Sequence, residues 1–232
     1  IIHEPTVEAA AALAFRMVGD GRADLVMKGH LPTPVLLKAA IHPDNGFTRG
    51  RLLSHVGFFQ PPILNRILCL TDTGMVLYPD LEKKAAILEN AIQFMQKMGV
   101  ERPVAAILTA SEKPTPKMPC SMDAVELVKM AEQGRFNNAV IWGPVDVSIA
   151  LDPKAAEIKG VPGTWSGKTD IWLLPEMVGG NIVGKVFMFI AKAEAGGVIV
   201  GGKSPIIMLS RASTPEEKYH SILMGVAASQ EG

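Results

Sequence analysis

The chain has 232 residues, 23 basic against 23 acidic, with 48% hydrophobic residues and two cysteines. The neutral balance argues against a general polyanion or nucleic-acid binder while leaving room for a local basic cleft. The apolar share suffices for one large domain or two modest ones. Cys69 and Cys120 lie far apart and flank no other ligand types at metal spacing, which argues against a disulfide scaffold and fits a reducing cytoplasm. No apolar run reaches the roughly eighteen residues of a membrane span, and no signal peptide opens the chain.

Strands and helices alternate along the sequence. Thr6 is placed to cap a first helix through residue 18, stopped by Gly19 and Gly21. Residues 25–27 read as a short buried strand, followed by the turn Lys28-Gly29-His30 and a helix beginning at Thr33-Pro34. Strands are predicted over 52–59 and 67–70, on either side of Pro61-Pro62. Asp80 caps a long helix to Met98, whose apolar stripe runs through Ala85, Leu88, Ile92 and Met95, and Gly99 ends it. A strand over 104–108 precedes a helix from Ser121 to Gly134. Strands over 139–142, ending at Gly143-Pro144, and over 171–174 follow, then a helix from Gly180-Asn181 to about residue 195. The last strands are 198–200 and 206–209, and a helix over 214–228 closes the chain.

This rhythm predicts an α/β fold with mostly parallel strands buried on both faces. Ligands in such sheets gather at the carboxyl ends of strands. The loops there are Lys28-Gly29-His30, Asp72-Thr73-Gly74, Ser111-Glu112-Lys113, Gly143-Pro144 and Ser210-Arg211. The last stands out. An apolar strand feeds Ser210-Arg211, and then Thr214, Pro215 and Glu217 form a helix start. Backbone N–H groups, a hydroxyl and a guanidinium thus meet at one point, which suits an anion. A surface arginine on an ordinary strand–turn–helix is the alternative. Neither a Gly-x-Gly-x-x-Gly turn nor a Walker phosphate loop is present, so nucleotide folds of those types are not supported.

Several motifs in series resemble the phosphate acyltransferases, phosphate butyryltransferases most closely, with phosphate acetyltransferases as the wider family. They are Met27-Lys28-Gly29, Leu52-Leu53-Ser54-His55-Val56, Leu70-Thr71-Asp72-Thr73-Gly74, Tyr78-Pro79-Asp80, Ser111-Glu112-Lys113, Trp142-Gly143-Pro144, Gly179-Gly180-Asn181 with Lys185, and Ser210-Arg211. The resemblance spans essentially the whole chain. It implies two α/β/α domains flanking a cleft, similar to isocitrate and isopropylmalate dehydrogenases. One domain is expected from residues 1–60 and 204–232, the other from 61–203. Family chains begin well before Ile1, which implies that the first strands of the fold precede this sequence. The implied reaction is acyl-CoA plus phosphate to acyl phosphate plus CoA, by direct transfer. The implied setting is cytoplasmic and the implied assembly a homodimer or higher homo-oligomer. CoA is a substrate, no cofactor is implied, and neither nucleic acid nor membrane is a partner.

The chemistry assigns roles to residues. A CoA thiol titrates near a cysteine, about 8.5, so attack at neutral pH needs a base or a thiolate-stabilising group. Ser210 is placed to hydrogen-bond the sulfur or the phosphate. Arg211 can make two parallel bonds to phosphate and stabilise the developing oxyanion. Glu217 is the candidate base by resemblance, Glu216 its possible substitute, and capping of the helix is the competing explanation of Glu217. Lys28, Gly29 and Thr33 are candidates for phosphate. Ser54 and Asp72 are candidates for the cleft, although a turn explains Asp72 equally well. His55 reads as a satisfied core histidine. Asn181 reads as a helix cap that could also bind ligand. Two departures from the family pattern occur. Its usual arginine falls at Thr48, leaving Arg49 or Arg51 to take that role, and its usual aspartate falls at Ser148, with Asp146 two residues early. No metal is required, and no aspartate cluster would hold Mg²⁺, unlike a decarboxylating dehydrogenase of related fold. Phosphate acetyltransferase activity and a non-catalytic CoA-binding remnant are the other readings.

Overall fold

A computed structural model describes residues 1–48, 50–209 and 213–229. Capping side chains start the helices where the sequence predicts. In α1 (Val7–Gly19), Thr6 Oγ1 accepts the Ala9 N–H at 3.1 Å. In α3 (Leu81–Lys97), Asp80 accepts the Lys83 N–H at 2.9 Å. Strand β1 (Val26–Met27) leads to α2 (Thr33–Ile41), where Pro32 occupies the cap position and makes no side-chain cap bond, so Thr33 is the first helical residue and not the cap. Between α2 and α3 lie β2 (Ser54–Gln60) and β3 (Leu68–Thr71).

Strand β4 (Val104–Leu108) is followed by α4 (Pro119–Glu132), which begins two residues before Ser121. Proline suits that first position, and the Ser121 hydroxyl donates back to Met118 O at 2.7 Å. Strand β5 (Val140–Val145) runs through Gly143-Pro144 instead of stopping there. Its register against β4 shifts at this point, and a Cβ on Gly143 would stand 2.8 Å from Ile107 Cβ, so only glycine fits. Two short helices follow that the sequence reading lacks: α5 (Val147–Leu151), capped by Asp146, and α6 (Pro153–Ile158), capped by Asp152.

After β6 (Ile171–Leu173), α7 (Met177–Phe189) starts at a Glu176 cap, earlier than Gly180-Asn181, and stops well before residue 195. Residues expected in that helix instead begin the long strand β7 (Glu194–Val200). The chain ends with β8 (Ile206–Ile207) and α8 (Pro215–Ser229).

The strands form one sheet in the order β1-β8-β7-β2-β3-β6-β4-β5. Its two halves are parallel within themselves: β1 with β8, and β3, β6, β4 and β5 with one another. The centre is antiparallel, because β2 and β7 pair along their whole length, from Ser54 opposite Val200 to Gln60 opposite Glu194. The sheet is therefore mixed: four of its seven neighbouring pairs are parallel, as the mostly parallel expectation has it, and the three antiparallel pairs lie together at the centre. Middle segments of the chain supply one half and both ends supply the other.

Alternation along the strands separates the two faces. Val56, Cys69, Ile107, Ile171 and Val198 pack with α3, α4 and α8. Leu70, Ala106 and Trp172 face the other way, under α5 and α6 and the Phe187 side of α7. Trp172 is fully buried, and its indole N–H donates to Thr169 Oγ1 at 2.9 Å. On that same second face, Val26, Leu53, Ile199 and Ile206 pack under α1 and α2. The sheet is thus sandwiched by helices, and on the second face the cover comes in two blocks. No helix among the described residues is long and apolar enough to cross a membrane.

Candidate active site

A cleft of about 530 Å³ opens over β2 and β7, where the two blocks of helices part. Its floor is made of small residues, Gly57 from β2 and Ala195 and Gly197 from β7. One wall carries Thr33 of α2, the opposite wall Asn181 and Lys185 of α7. The far end is closed by Leu209, Ser213, Thr214 and Glu217, at the end of β8 and the start of α8. His55 and Thr73 rise from β2 and from the turn after β3. Among the described residues, Lys185 is the one lysine or arginine and Glu217 the one carboxylate that line it.

His55 does not sit in the core. Its ring is half-buried on the cleft side, where Nδ1 and Thr73 Oγ1 share a hydrogen bond of 2.6 Å. The other edge lies over Gly197: a Cβ there would stand 2.8 Å from His55 Cε1 and 2.9 Å from Nε2. Burial lowers the His55 pKa, against the smaller opposing pull of the Asp72 carboxylate.

Asp72 organises this corner from behind. It is 2% exposed, and its carboxylate accepts four backbone N–H groups: Gly74 at 2.7 Å, Met75 at 2.8 Å, Val76 at 3.2 Å and His55 at 3.3 Å. An anion so fully occupied by donors fixes the turn and joins it to β2. It has no capacity left for substrate, which corrects its candidacy as a binding residue.

Glu217 and Thr214 form the reciprocal cap of α8. Thr214 Oγ1 accepts the Glu217 N–H at 3.2 Å, and Glu217 Oε2 accepts the Thr214 N–H at 3.3 Å. The capping explanation of Glu217 is therefore realised, and it engages one oxygen of the expected base. Asn181 is not a cap. It lies inside α7, donates to Thr73 O at 3.2 Å and keeps its place on the cleft wall. The Thr33 hydroxyl has no hydrogen-bond partner among the described residues.

Other expectations are corrected. Lys28 and Gly29 follow β1 but do not line the cleft, and among the described residues Lys28 Nζ reaches only Gly29 O, at 3.5 Å. Ser54 is fully buried on the α3 face, accepting from Asn90 Nδ2 at 3.0 Å. Arg51 lines a different cavity of about 510 Å³ beside α3 and the end of α8, donating to Asn90 Oδ1 at 3.1 Å and Gln93 Oε1 at 2.7 Å. Thr48 borders that cavity too. Asp146 and Ser148 serve α5 and not the cleft. Asp146 accepts from the Ile149 N–H and the Ser148 hydroxyl and pairs with Lys159. Burial works to raise the Asp146 pKa, but those donors outweigh it and bring it to about 2. Ser210, Arg211 and Arg49 lie outside the described residues. Sequence reasoning missed His55, Thr73 and Lys185 as cleft residues; Lys185 was visible only as part of a motif.

Among solved structures, a terephthalate 1,2-cis-dihydrodiol dehydrogenase from Burkholderia xenovorans LB400 shares the fold at a TM-score of 0.52 and 12% identity, over 98% of this chain and 76% of that one. A branched-chain phosphotransacylase from Enterococcus faecalis V583 matches far more closely, with a TM-score of 0.90 and 31% identity over 100% of this chain and 83% of that one. The family model described as "Phosphate acetyl/butaryl transferase" matches residues 2–226. A phosphate butyryltransferase of Clostridium acetobutylicum is 37% identical over 224 residues, covering 97% of this chain and 74% of its own length. A phosphate acetyltransferase of Thermotoga maritima is 35% identical over 217 residues, covering 94% and 74%. The fold class is thus that of the two-sided α/β phosphotransacylases, which distant dehydrogenases share. The chain belongs to the phosphate acetyl/butyryl transferase family and is an acyltransferase.

Proposed function

We propose that this chain exchanges a short acyl group, butyryl by preference, between CoA and inorganic phosphate in the cleft over β2 and β7. One observation carries this reading: Leu209 and Ser213, the described residues flanking Ser210 and Arg211, both line the cleft that His55, Thr73, Asn181 and Lys185 face. In the reading, Arg211 grips phosphate and the acyl oxyanion through its planar fork, and Ser210 hydrogen-bonds sulfur or phosphate. Lys185 and Thr33 hold phosphate oxygens from opposite walls. Glu217 caps α8 and so holds the start of that helix against the reacting groups.

The cleft lies between one domain from residues 1–60 and 204–232 and another from 61–203. The sheet supports this division for β1 and β8, from the chain ends, and for β3, β6, β4 and β5, from the middle, whereas β7 lies between β8 and β2, among the strands of the other unit. CoA is a substrate, and the chemistry asks for no cofactor. The Cys69 thiol offers no competing nucleophile: burial, and then the Asp170 carboxylate, raise its pKa strongly. Its unpaired state and that of Cys120 fit a cytoplasmic setting. A homodimer is supported by the outer face of α7 and its end, where Val178, Ile182, Val186 and Ile190 are exposed at helical spacing.

The test is thiol release from butyryl-CoA and from acetyl-CoA, each with and without phosphate. Phosphate-dependent release, faster with butyryl-CoA and lowered about 10²–10³-fold in Arg211→Ala, is the expected result. Release that ignores phosphate, or an Arg211→Ala variant as active as the parent, contradicts the reading. Preference for acetyl-CoA contradicts only the chain-length assignment.

A further inference from the structure

We infer that His55 is the proton carrier of the transfer, a role that rests on the acyltransferase reading above. When acyl phosphate and CoA thiol become thioester and phosphate, a C–S bond forms and the C–O bond to phosphorus breaks. One proton leaves sulfur, and one arrives on the departing phosphate oxygen. No proton is gained or lost overall, so a single group that takes the proton and then gives it up balances the step. Such a group must be able to accept a proton at rest, must reach both sulfur and phosphate, and works best when it titrates near neutrality.

Among the described residues lining the cleft, His55 and Glu217 are the groups able to accept a proton, and His55 fits better: Glu217 Oε2 is engaged in the helix cap, whereas His55 Nε2 has no partner among the described residues. The His55 imidazole is anchored at one nitrogen only. Nδ1 and Thr73 Oγ1 share a hydrogen bond of 2.6 Å, and Nε2 has no partner among the described residues; in the proposed role the resting proton sits on Nδ1 and the lone pair on Nε2. Three features hold the ring in place: the Thr73 bond, the backbone bond from His55 N–H to Asp72, and the close approach of Gly197. The charged groups around it are Asp72 behind the turn, Lys185 on α7 and Glu217 at the start of α8. Burial outweighs the pull of Asp72 and lowers the ring's pKa, which favours the neutral form.

The experiment is steady-state kinetics of the wild type and of His55→Asn from pH 5 to 9, in the acyl phosphate plus CoA direction. Asparagine keeps a polar atom near the position of Nδ1 that can bond to the Thr73 hydroxyl, while removing the base. The expected kcat loss is about 10²–10⁴-fold with little change in KM. The wild-type profile should fall on the acid side with an inflection below the usual imidazole value of about 6.5, and that limb should be absent in the variant. Thr73→Val provides a second reading: its ring is free to turn, so kcat falls while circular dichroism and melting stay close to the parent. An active wild type with an undiminished His55→Asn variant, or a variant that keeps the acid limb, overturns the role of His55 alone. A wild type without phosphate-dependent exchange overturns the acyltransferase reading, and this role with it.

Discussion

Two cavities of similar size lie on this molecule, and they differ in what their polar groups have left to do. Among the described residues, the cavity beside α3 and α8 is the more cationic, with Arg51, Lys97 and Lys203 along its rim. Each of these cations is already engaged. Lys97 donates to Ala228 O at 3.1 Å, at the end of α8, and Lys203 donates to Gly19 O at 2.6 Å, at the end of α1. Arg51 bridges Asn90 and Gln93. The lysines satisfy helix ends, where unpaired carbonyls and partial negative charge favour a cation. In the cleft over β2 and β7, by contrast, the floor is nearly bare backbone, and His55, Thr33 and Lys185 have polar atoms without a partner among the described residues. Volume and positive charge do not distinguish a site here. Unspent hydrogen-bonding capacity does.

Substitutions can break or sharpen this contrast. The largest effect is expected at Arg211→Ala, in the thiol-release assay already described. Next comes Gly197→Leu, which puts a side chain where the His55 ring lies. Overpacking of about 1–3 kcal/mol, felt at the ring, lowers kcat roughly 10–100-fold while thermal unfolding stays cooperative. Lys185→Ala removes one charge-assisted contact at an exposed wall. It should raise KM for phosphate or CoA about tenfold with kcat nearly unchanged, consistent with roughly 1.5 kcal/mol for such a bond. Lys97→Ala and Lys203→Ala, in the other cavity, should leave kcat and KM within about twofold. Each should cost only about 0.3–1 kcal/mol of stability, read by denaturant unfolding. A Lys97 or Lys203 variant that lost activity while staying folded would erase the distinction between the cavities.

The sequence made the local signals legible. Thr6, Asp80 and the Thr214–Glu217 pair cap where a short side chain precedes a helical pattern, and capping needs no knowledge of the rest of the fold. Signals for α5 and α6 were present as well, in Asp146 and in the Asp152-Pro153 cap-then-proline pair. Where α7 ends and β7 begins was not legible. Residues near 190–195 suit either state, and pairing with β2 decides between them.

The same limit governs the site. Ser54 and His55 are adjacent in a strand buried on both faces, so composition cannot say which of them points to which face. The serine goes to α3 and the histidine to the cleft, the reverse of the expected roles. Asp72 was legible as a turn residue, but its four backbone donors come from both β2 and the turn, and only the fold brings those together.

The most direct test of the account is the structure of this chain with CoA bound. The sulfur should lie in the cleft over β2 and β7, within hydrogen-bond reach of His55 Nε2 and beside the segment between Leu209 and Ser213. A sulfur seated instead in the cavity between α3 and the end of α8, or on the outer face of the sheet helices, would contradict it.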